Sequence, residues 1–216
     1  MKAVVIKKIN TSAAPEAAEV PALLDKQGVA FQSIDVVNWN EYPYQPKVEF
    51  RVAHVGDSLL VNFKVTEASV RAVAAEDHGR VWEDACVEFF VSPDSNNFYY
   101  NFECSCIGKL LLHGGAPGDR IPAPAEVMAT VKRWSSLGTE PFEEKVGECS
   151  WQVAEVIPAT ALFRHHLTSF DGLTMKGNFY KCGDLLQTPH FLSWNPIDLP
   201  KPCFHCPEFF GELTFE

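Results

Sequence analysis

Apolar side chains recur at every second position along most of this chain, and that alternation restricts the fold more than any other feature. Apolar residues occupy alternate positions in residues 48–52 and again in residues 59–65. Between these segments lies Gly56-Asp57, which has the composition of a tight hairpin turn. A period of two is typical of strands that bury one face. The two segments therefore predict an antiparallel β-hairpin.

Helix signals, by contrast, are few. Residues 15–28 carry apolar residues at helical spacing and end at Gly28, and residues 160–166 predict at most one or two turns. About ten short strands separated by turns are expected, without a strand–helix–strand rhythm. The predicted fold class is all-β: an antiparallel β-sandwich or jelly roll with one or two short helices.

Length and charge narrow the class of protein further. The chain has 216 residues, of which 46% are hydrophobic and 21% charged, as in one globular domain. We expect a single domain over residues 1–216, in which residues 1–29 form an N-terminal strand and a short helix packed on the sandwich. A formal net charge of -10 argues against nucleic-acid or membrane partners, because these favour a basic surface.

The seven cysteines are an odd number and too few for a dense disulfide framework at this length. We expect free, mostly buried thiols in a reducing compartment. The apolar run at residues 3–6 is too short for the core of a signal peptide. The expected location is the cytoplasm, or the periplasm or cell exterior if a leader was removed. A monomer is expected.

A strand predicted over residues 85–91 holds the most informative candidate site. Glu88 shares its face with Cys86 and Phe90, which places a carboxylate on an otherwise apolar face. A buried carboxylate needs hydrogen-bond donors or a ligand. Trp82 opens the same segment and offers an aromatic plane for stacking. The alternatives are a structural hydrogen bond for Glu88 and a core position for Trp82.

The next strand carries a polar stripe formed by Tyr99, Asn101 and Glu103. Two interpretations are open. The stripe is either a solvated outer face or a hydrogen-bonding row on a concave binding sheet, where amide and carboxylate groups pair with ligand hydroxyls.

A proline-rich segment near the C-terminus, residues 200–207, is the third candidate. It contains Phe204 and His205, and a rigid loop on a sheet scaffold commonly carries binding residues. The alternative is a strap that packs its aromatic rings on the core. Cys203 and Cys206 lack a second ligand pair at zinc spacing, so no metal site is predicted.

Several motifs occur in an order that resembles a known family. They are Trp82-Glu83, residues 87–91, residues 100–102, residues 177–184, Ser193-Trp194-Asn195-Pro196, Phe204-His205 and residues 210–213. Over residues 30–216 this order resembles carbohydrate-binding module family 9, in its stand-alone Bacteroidetes form. The resemblance implies a distorted β-sandwich of the immunoglobulin or jelly-roll type, in which two aromatic side chains clamp a terminal sugar.

The resemblance also implies which residues form that site. Trp82 takes the first aromatic position, Glu88 is the acid six residues later, and Phe204 stands where xylanase-borne modules carry Trp. Lys181 falls at a polar position in a late strand, and two asparagines complete the rim. The ligand-binding candidates are Trp82, Glu88, Phe204, Lys181, Asn195 and Asn101. No cofactor is predicted. The resemblance leaves calcium as an alternative, because the family's calcium sites are loop-borne, but no calcium ligands are assigned in this sequence.

The function predicted is non-catalytic binding of a mono- or oligosaccharide or a polysaccharide chain end, linked to the utilisation of such sugars. One alternative is a glycoside hydrolase-associated enzyme acting on O-glycosyl bonds, with Glu88 and Glu103 as a carboxyl pair. The other is a structural or interaction sandwich that has lost sugar binding.

Overall fold

A computed structural model describes residues 1–11, 13–94 and 97–216. The strands in these ranges are β1 (Ala3–Lys8), β2 (Gln32–Ser33), β3 (Val36–Val37), β4 (Lys47–His54), β5 (Ser58–Ala72), β6 (Cys86–Ser92), β7 (Tyr99–Ser105), β8 (Leu110–Ala116), β9 (Asp119–Pro122), β10 (Lys132–Ser135), β11 (Phe142–Pro158), β12 (Thr174–Cys182), β13 (Phe191–Ser193) and β14 (Gly211–Phe215). The α-helices are α1 (Val20–Lys26) and α2 (Ala125–Met128), and 3-10 turns lie at Ala17–Glu19, Val81–Glu83, Ala159–Ala161 and Pro207–Phe209.

The predicted all-β fold is confirmed, with differences at the short elements. Fourteen strands form in the described ranges where about ten were expected. Those of two to four residues are too short to show an alternating pattern. The helix expected over residues 15–28 is limited to α1 and a preceding 3-10 turn, and residues 160–166 contribute only the end of another 3-10 turn.

The strands form two layers that β1 connects. The strand order is β10-β11-β5-β4-β1-β14-β12-β6-β7-β8-β9. Residues 3–6 of β1 pair in parallel with β14, whereas residues 7–8 pair in parallel with β4. We call β14-β12-β6-β7-β8-β9 the front sheet and β10-β11-β5-β4 the back sheet. Because β1 pairs with both, the two sheets close into a sandwich along this edge.

Aromatic rings from both sheets fill the space between them. Phe50 of the back sheet stacks on Phe179 of the front sheet at 3.6 Å between ring centroids, and Phe89 stacks on the same ring at 4.8 Å. All three side chains are fully buried. Burying one such side chain contributes about 1.5–3 kcal/mol, so this cluster is a main source of stability.

The outer faces of both sheets are also covered. The helix α1 places Val20 and Leu24 on the back sheet. On the front sheet, Trp39, Phe204 and Phe210 cover the outward side chains of β6, β7 and β12. The central front strands are therefore buried on both faces. An opening in the outer cover forms a cleft that is lined by the outward side chains of these strands. No helix in the described ranges is long and apolar enough to cross a membrane.

A carboxyl group lies inside the sandwich without a hydrogen-bond partner in the described ranges. Glu155 of β11 shares its face with Val153 and Ile157, which belong to the core between the sheets. Its side chain is fully buried, and neither carboxyl oxygen has a partner among the described residues. Burial raises the pKa of Glu155 to about 7, although the charge of Arg133 acts in the opposite direction.

We expect Glu155→Gln to make the protein more resistant to rising pH. A carboxyl with a raised pKa in the folded state contributes stability that is complete below its unfolded pKa and is lost as pH rises through about 7. Glutamine does not titrate. Between pH 4.5 and 8 the unfolding free energy of the variant should therefore rise, relative to that of the original chain, by at most about 3 kcal/mol. Urea unfolding at both pH values measures the difference. Glu148→Gln, at an exposed position of the same strand, should show no such gain, and an equal gain there would contradict the interpretation.

Candidate functional site

A cleft of about 380 Å³ opens on the outer face of the front sheet. Strands β6, β7 and β12 supply its floor, and the loops that cover the sheet supply its rim. The floor side chains include Glu88, Asn101, Glu103 and Cys182, and the rim includes Trp82, Phe191, Phe204 and His205. The cleft therefore combines aromatic planes with buried polar groups, as small-molecule sites commonly do.

Strand alternation and register bring the polar floor together. On β6, Glu88 points outward because Val87 and Phe89 point into the core. In the ladder between β6 and β7, Glu88 lies opposite Glu103. The stripe on β7 is therefore not a solvated face: Asn101 and Glu103 are almost completely buried beside Glu88.

An arginine that the sequence pattern did not indicate holds part of this floor. Arg120 of β9 donates a hydrogen bond to Oδ1 of Asn101, and Nδ2 of Asn101 donates to Glu103 over 2.7 Å. The guanidinium lies over the ring of Tyr99, with its central carbon 3.7 Å from the ring centroid. Arg120 thus fixes which way the amide of Asn101 faces.

The tight turn between β8 and β9 is what places Arg120 there. A side chain at Gly115 would collide with the backbone of Asp119, so the turn needs glycine at this position. Nη1 of Arg120 then donates to the backbone oxygen of Gly115 over 2.9 Å. Sequence reasoning could not find this contact, because the turn geometry and the register of β8 with β9 decide it.

The carboxyl groups of the cleft hold their protons more tightly than usual. Burial raises the pKa of Glu103 to about 7, although Asn101 and Arg120 oppose the shift. The pKa of Glu88 lies well above its usual range because of burial and the neighbouring charges of Cys182 and Glu103. Burial also raises the pKa of Asp184 to about 6. In the protonated state such groups donate as well as accept hydrogen bonds.

Three aromatic side chains border the cleft in different ways. Trp82 is half-buried and lies in the 3-10 turn that leads into β6. Phe204 is only 8% exposed, because its ring stacks on Tyr180 at 4.2 Å between centroids and an angle of 9°. Phe191 is more exposed than Phe204 and meets its ring edge-on at 6.3 Å. Sequence reasoning did not identify Phe191 as a cleft residue.

The histidine beside Phe204 belongs to the cleft as well. Part of His205 is exposed, but its ring packs against Phe90 and Tyr99, and Nδ1 lies 2.9 Å from the hydroxyl of Tyr99. Desolvation lowers the pKa of His205 to about 4, and the positive charge of Arg120 adds to the effect. The ring is therefore neutral at physiological pH and can accept or donate one hydrogen bond.

Among the described residues, one group of side chains has the spacing of metal ligands. One ligand atom each from Cys86, Glu88 and Cys182 lies within 4.8 Å of the other two. Cys203 and Cys206 do not form such a group, since Sγ of Cys206 donates to the backbone oxygen of Cys203 over 3.3 Å. All seven cysteines are free thiols, as expected.

Two of the six candidate binding residues lie outside the cleft. Lys181 alternates with Cys182 on β12 and therefore points between the sheets, where Nζ lies 3.0 Å from Oε2 of Glu67. Asn195 accepts a hydrogen bond from the backbone N–H of Lys2 and is fully buried. Trp82, Glu88, Phe204 and Asn101 line the cleft together.

Comparison with known proteins agrees with the architecture. The model of carbohydrate-binding family 9 matches residues 18–215. This chain belongs to carbohydrate-binding family 9. The resemblance noted in its motifs is thereby confirmed. No curated protein sequence matches the chain.

Solved structures of the family extend the comparison. A protein from Bacteroides uniformis, described as a candidate carbohydrate-binding protein, is 62% identical over 100% of this chain and 99% of its own, with a TM-score of 0.98. Two structures of a family 9 module from Caldicellulosiruptor kristjanssonii are each 10% identical over 100% of this chain. The glucose complex has 96% of its chain covered and a TM-score of 0.63, and the cellotriose complex has 94% covered and a TM-score of 0.62. These two share the fold of this chain.

The position of Lys181 leads to a stability prediction. Lys181→Met would leave Glu67 buried without its cation, and breaking a buried ion pair in this way costs about 3–5 kcal/mol. Urea unfolding should show this loss. The double variant Lys181→Met with Glu67→Leu should recover part of it, because it removes the unpaired buried charge but leaves Nε1 of Trp151 without its acceptor. Lys176→Met, at a half-exposed position of the same strand, is the control. A loss as large in the control would contradict the ion-pair explanation.

Proposed function

We propose that this family 9 protein binds carbohydrate in the cleft without transforming it. The observation that carries the proposal is the composition of the cleft: aromatic rings at the rim stand above a floor of buried carboxyl and amide groups. A pyranose ring presents apolar C–H faces and a ring of hydroxyls at its edge, so it requires both kinds of surface. The glucose and cellotriose complexes of the Caldicellulosiruptor module support the same class of ligand.

Each part of the cleft has a defined role in this proposal. Trp82 provides the stacking plane, and Phe204 and Phe191 add apolar contacts at the rim. Glu88 and Glu103 exchange hydrogen bonds with sugar hydroxyls, and Asn101 positions Glu103. At about 380 Å³ the cleft suits one or two sugar units. The ligand is a mono- or oligosaccharide or a polysaccharide chain end, and we propose a role in the utilisation of such sugars.

The pair Glu88 and Glu103 favours glycoside hydrolysis as a second candidate, since the two carboxyl groups lie opposite each other across two strands. Hydrolases of this type need one carboxyl as acid and one ionised as base or nucleophile. Here burial raises the pKa of both groups, so their environments do not separate the two roles. Binding without turnover fits this pair better.

We expect Trp82→Ala to weaken sugar binding about 5- to 30-fold, because losing one stacking plane removes about 1–2 kcal/mol. Isothermal titration calorimetry against a panel of glucose, xylose, cellobiose and cellotriose measures the change. Trp134→Ala, at a half-buried tryptophan away from the cleft, is the matched control and should keep the affinity. Equal heats for Trp82→Ala and the original chain would refute stacking on Trp82.

The same preparations separate binding from hydrolysis. Incubation with aryl glycosides should release no aryl alcohol above background. Release that disappears in Glu88→Gln would replace the binding proposal with the hydrolase. If neither heat nor product is seen with any sugar, the interpretation as an interaction sandwich replaces both.

A further inference from the structure

Two thiols and a carboxyl group meet in the floor of the cleft. Cys86 and Glu88 are two residues apart on β6 and therefore share a face, and Cys182 of β12 lies directly opposite Cys86 in the ladder. One ligand atom from each lies within 4.8 Å of the other two. Because the three residues sit on paired strands inside the sheet, the backbone fixes their relative positions.

The spacing of these atoms is close to that of a tetrahedral zinc site. Zn–S bonds of about 2.3 Å and Zn–O bonds of about 2.0 Å place two sulfurs about 3.8 Å apart and a sulfur and an oxygen about 3.5 Å apart. Sγ of Cys182 lies 3.1 Å from Oε1 of Glu88. A side-chain movement of a few tenths of an ångström would open that pair to the distance that zinc requires.

The chemistry of the group selects a particular class of ion. Thiolates are soft ligands that favour Zn²⁺ over Ca²⁺ or Mg²⁺, which prefer sets of oxygen atoms. Within the described part of the chain, no lysine, arginine or histidine forms an ion pair with Glu88. The three groups can become anionic together only if a cation enters from outside the chain.

We propose that Cys86, Glu88 and Cys182 bind one Zn²⁺ through two thiolates and one carboxylate. Glu88 and Cys182 border the cleft, whereas Cys86 is completely buried beneath it. The fourth coordination position therefore faces the cleft. Three protein ligands with one open position is the arrangement of zinc sites that accept a water molecule or a ligand hydroxyl. Binding releases the two thiol protons, together with any proton that Glu88 carries, to solvent, and the three ligand charges exceed the charge of the ion by one.

Direct zinc titration of the full chain tests the proposal. The protein is stripped with a chelator, kept reduced with a phosphine, and titrated with Zn²⁺ alone in competition with a chromogenic chelator. We expect about one zinc per chain by elemental analysis. Substitution with Co²⁺ should give thiolate-to-cobalt absorption in the near ultraviolet, a signal that a carboxylate or imidazole site does not produce.

Variants assign the ligands. Cys86→Ser, Cys182→Ser and Glu88→Gln should each weaken zinc binding by more than about 10-fold. Replacing a residue that only hydrogen-bonds to a metal ligand already weakens metal binding by about that factor. Cys149→Ser on β11 and Cys203→Ser on the rim remove thiols outside the group and should bind as the original chain does. Thermal unfolding of each metal-free variant verifies that it folds, and the conservative serine and glutamine replacements keep the side-chain volume nearly constant.

Three results would overturn the zinc site. One is a reduced chain that takes up no zinc at micromolar concentration. The second is binding that survives the loss of Cys86 and Cys182 but not of Cys203. The third is a disulfide between Cys86 and Cys182 that persists in the reductant and blocks the metal, since these cysteines lie opposite each other on adjacent strands. The zinc measurements contain no sugar, so the site and the carbohydrate proposal succeed or fail independently.

Discussion

Burial of three strands on both faces is the constraint on which the rest of this structure depends. Strands β6, β7 and β12 present one set of side chains to the core between the sheets and the alternate set to an outer cover. The core excludes water from the inner face and the cover limits its access to the outer face, so a polar side chain on either face must find a partner, keep a proton, or meet a ligand. The cleft and the internal ion pair both follow from this arrangement.

The polar side chains on the two faces are satisfied in different ways. Between the sheets, Lys181 meets Glu67, and Nε1 of Trp151 donates to the same carboxylate over 2.6 Å. That network joins strands of both sheets and has a structural role. On the outer face, Glu88 and Glu103 form no ion pair with any described residue, and burial raises the pKa of both. Their hydrogen-bonding capacity remains for whatever enters the cleft.

The cover over the front sheet links the core to function. Phe204 stacks one ring face on Tyr180 and also lines the cleft, so it belongs both to the outer cover and to the site. The aromatic side chains that border the cleft differ in exposure, since Trp82 is half-buried and Phe204 is nearly buried. Beneath them, the carboxyl group of Glu88 belongs both to the surface proposed for sugar and to the group proposed for zinc. A bound ion would thus change the hydrogen bonding available to a sugar.

Sequence alone determined the all-β fold class, the hairpin between β4 and β5, and the outward position of Glu88. The alternation of side chains along a strand is a local property of the backbone, so it can be read without knowing the fold. The sequence also placed Trp82 and Phe204 on the segments that border the cleft. Long-range pairing decided the rest. Lys181 and Asn195 were expected at the rim, but their contacts with Glu67 and Lys2 place them elsewhere. Arg120 and the meeting of Cys86 with Cys182 depend on strand register. A period of two shows which face a residue occupies, whereas only the folded sheet decides which residue lies across from it.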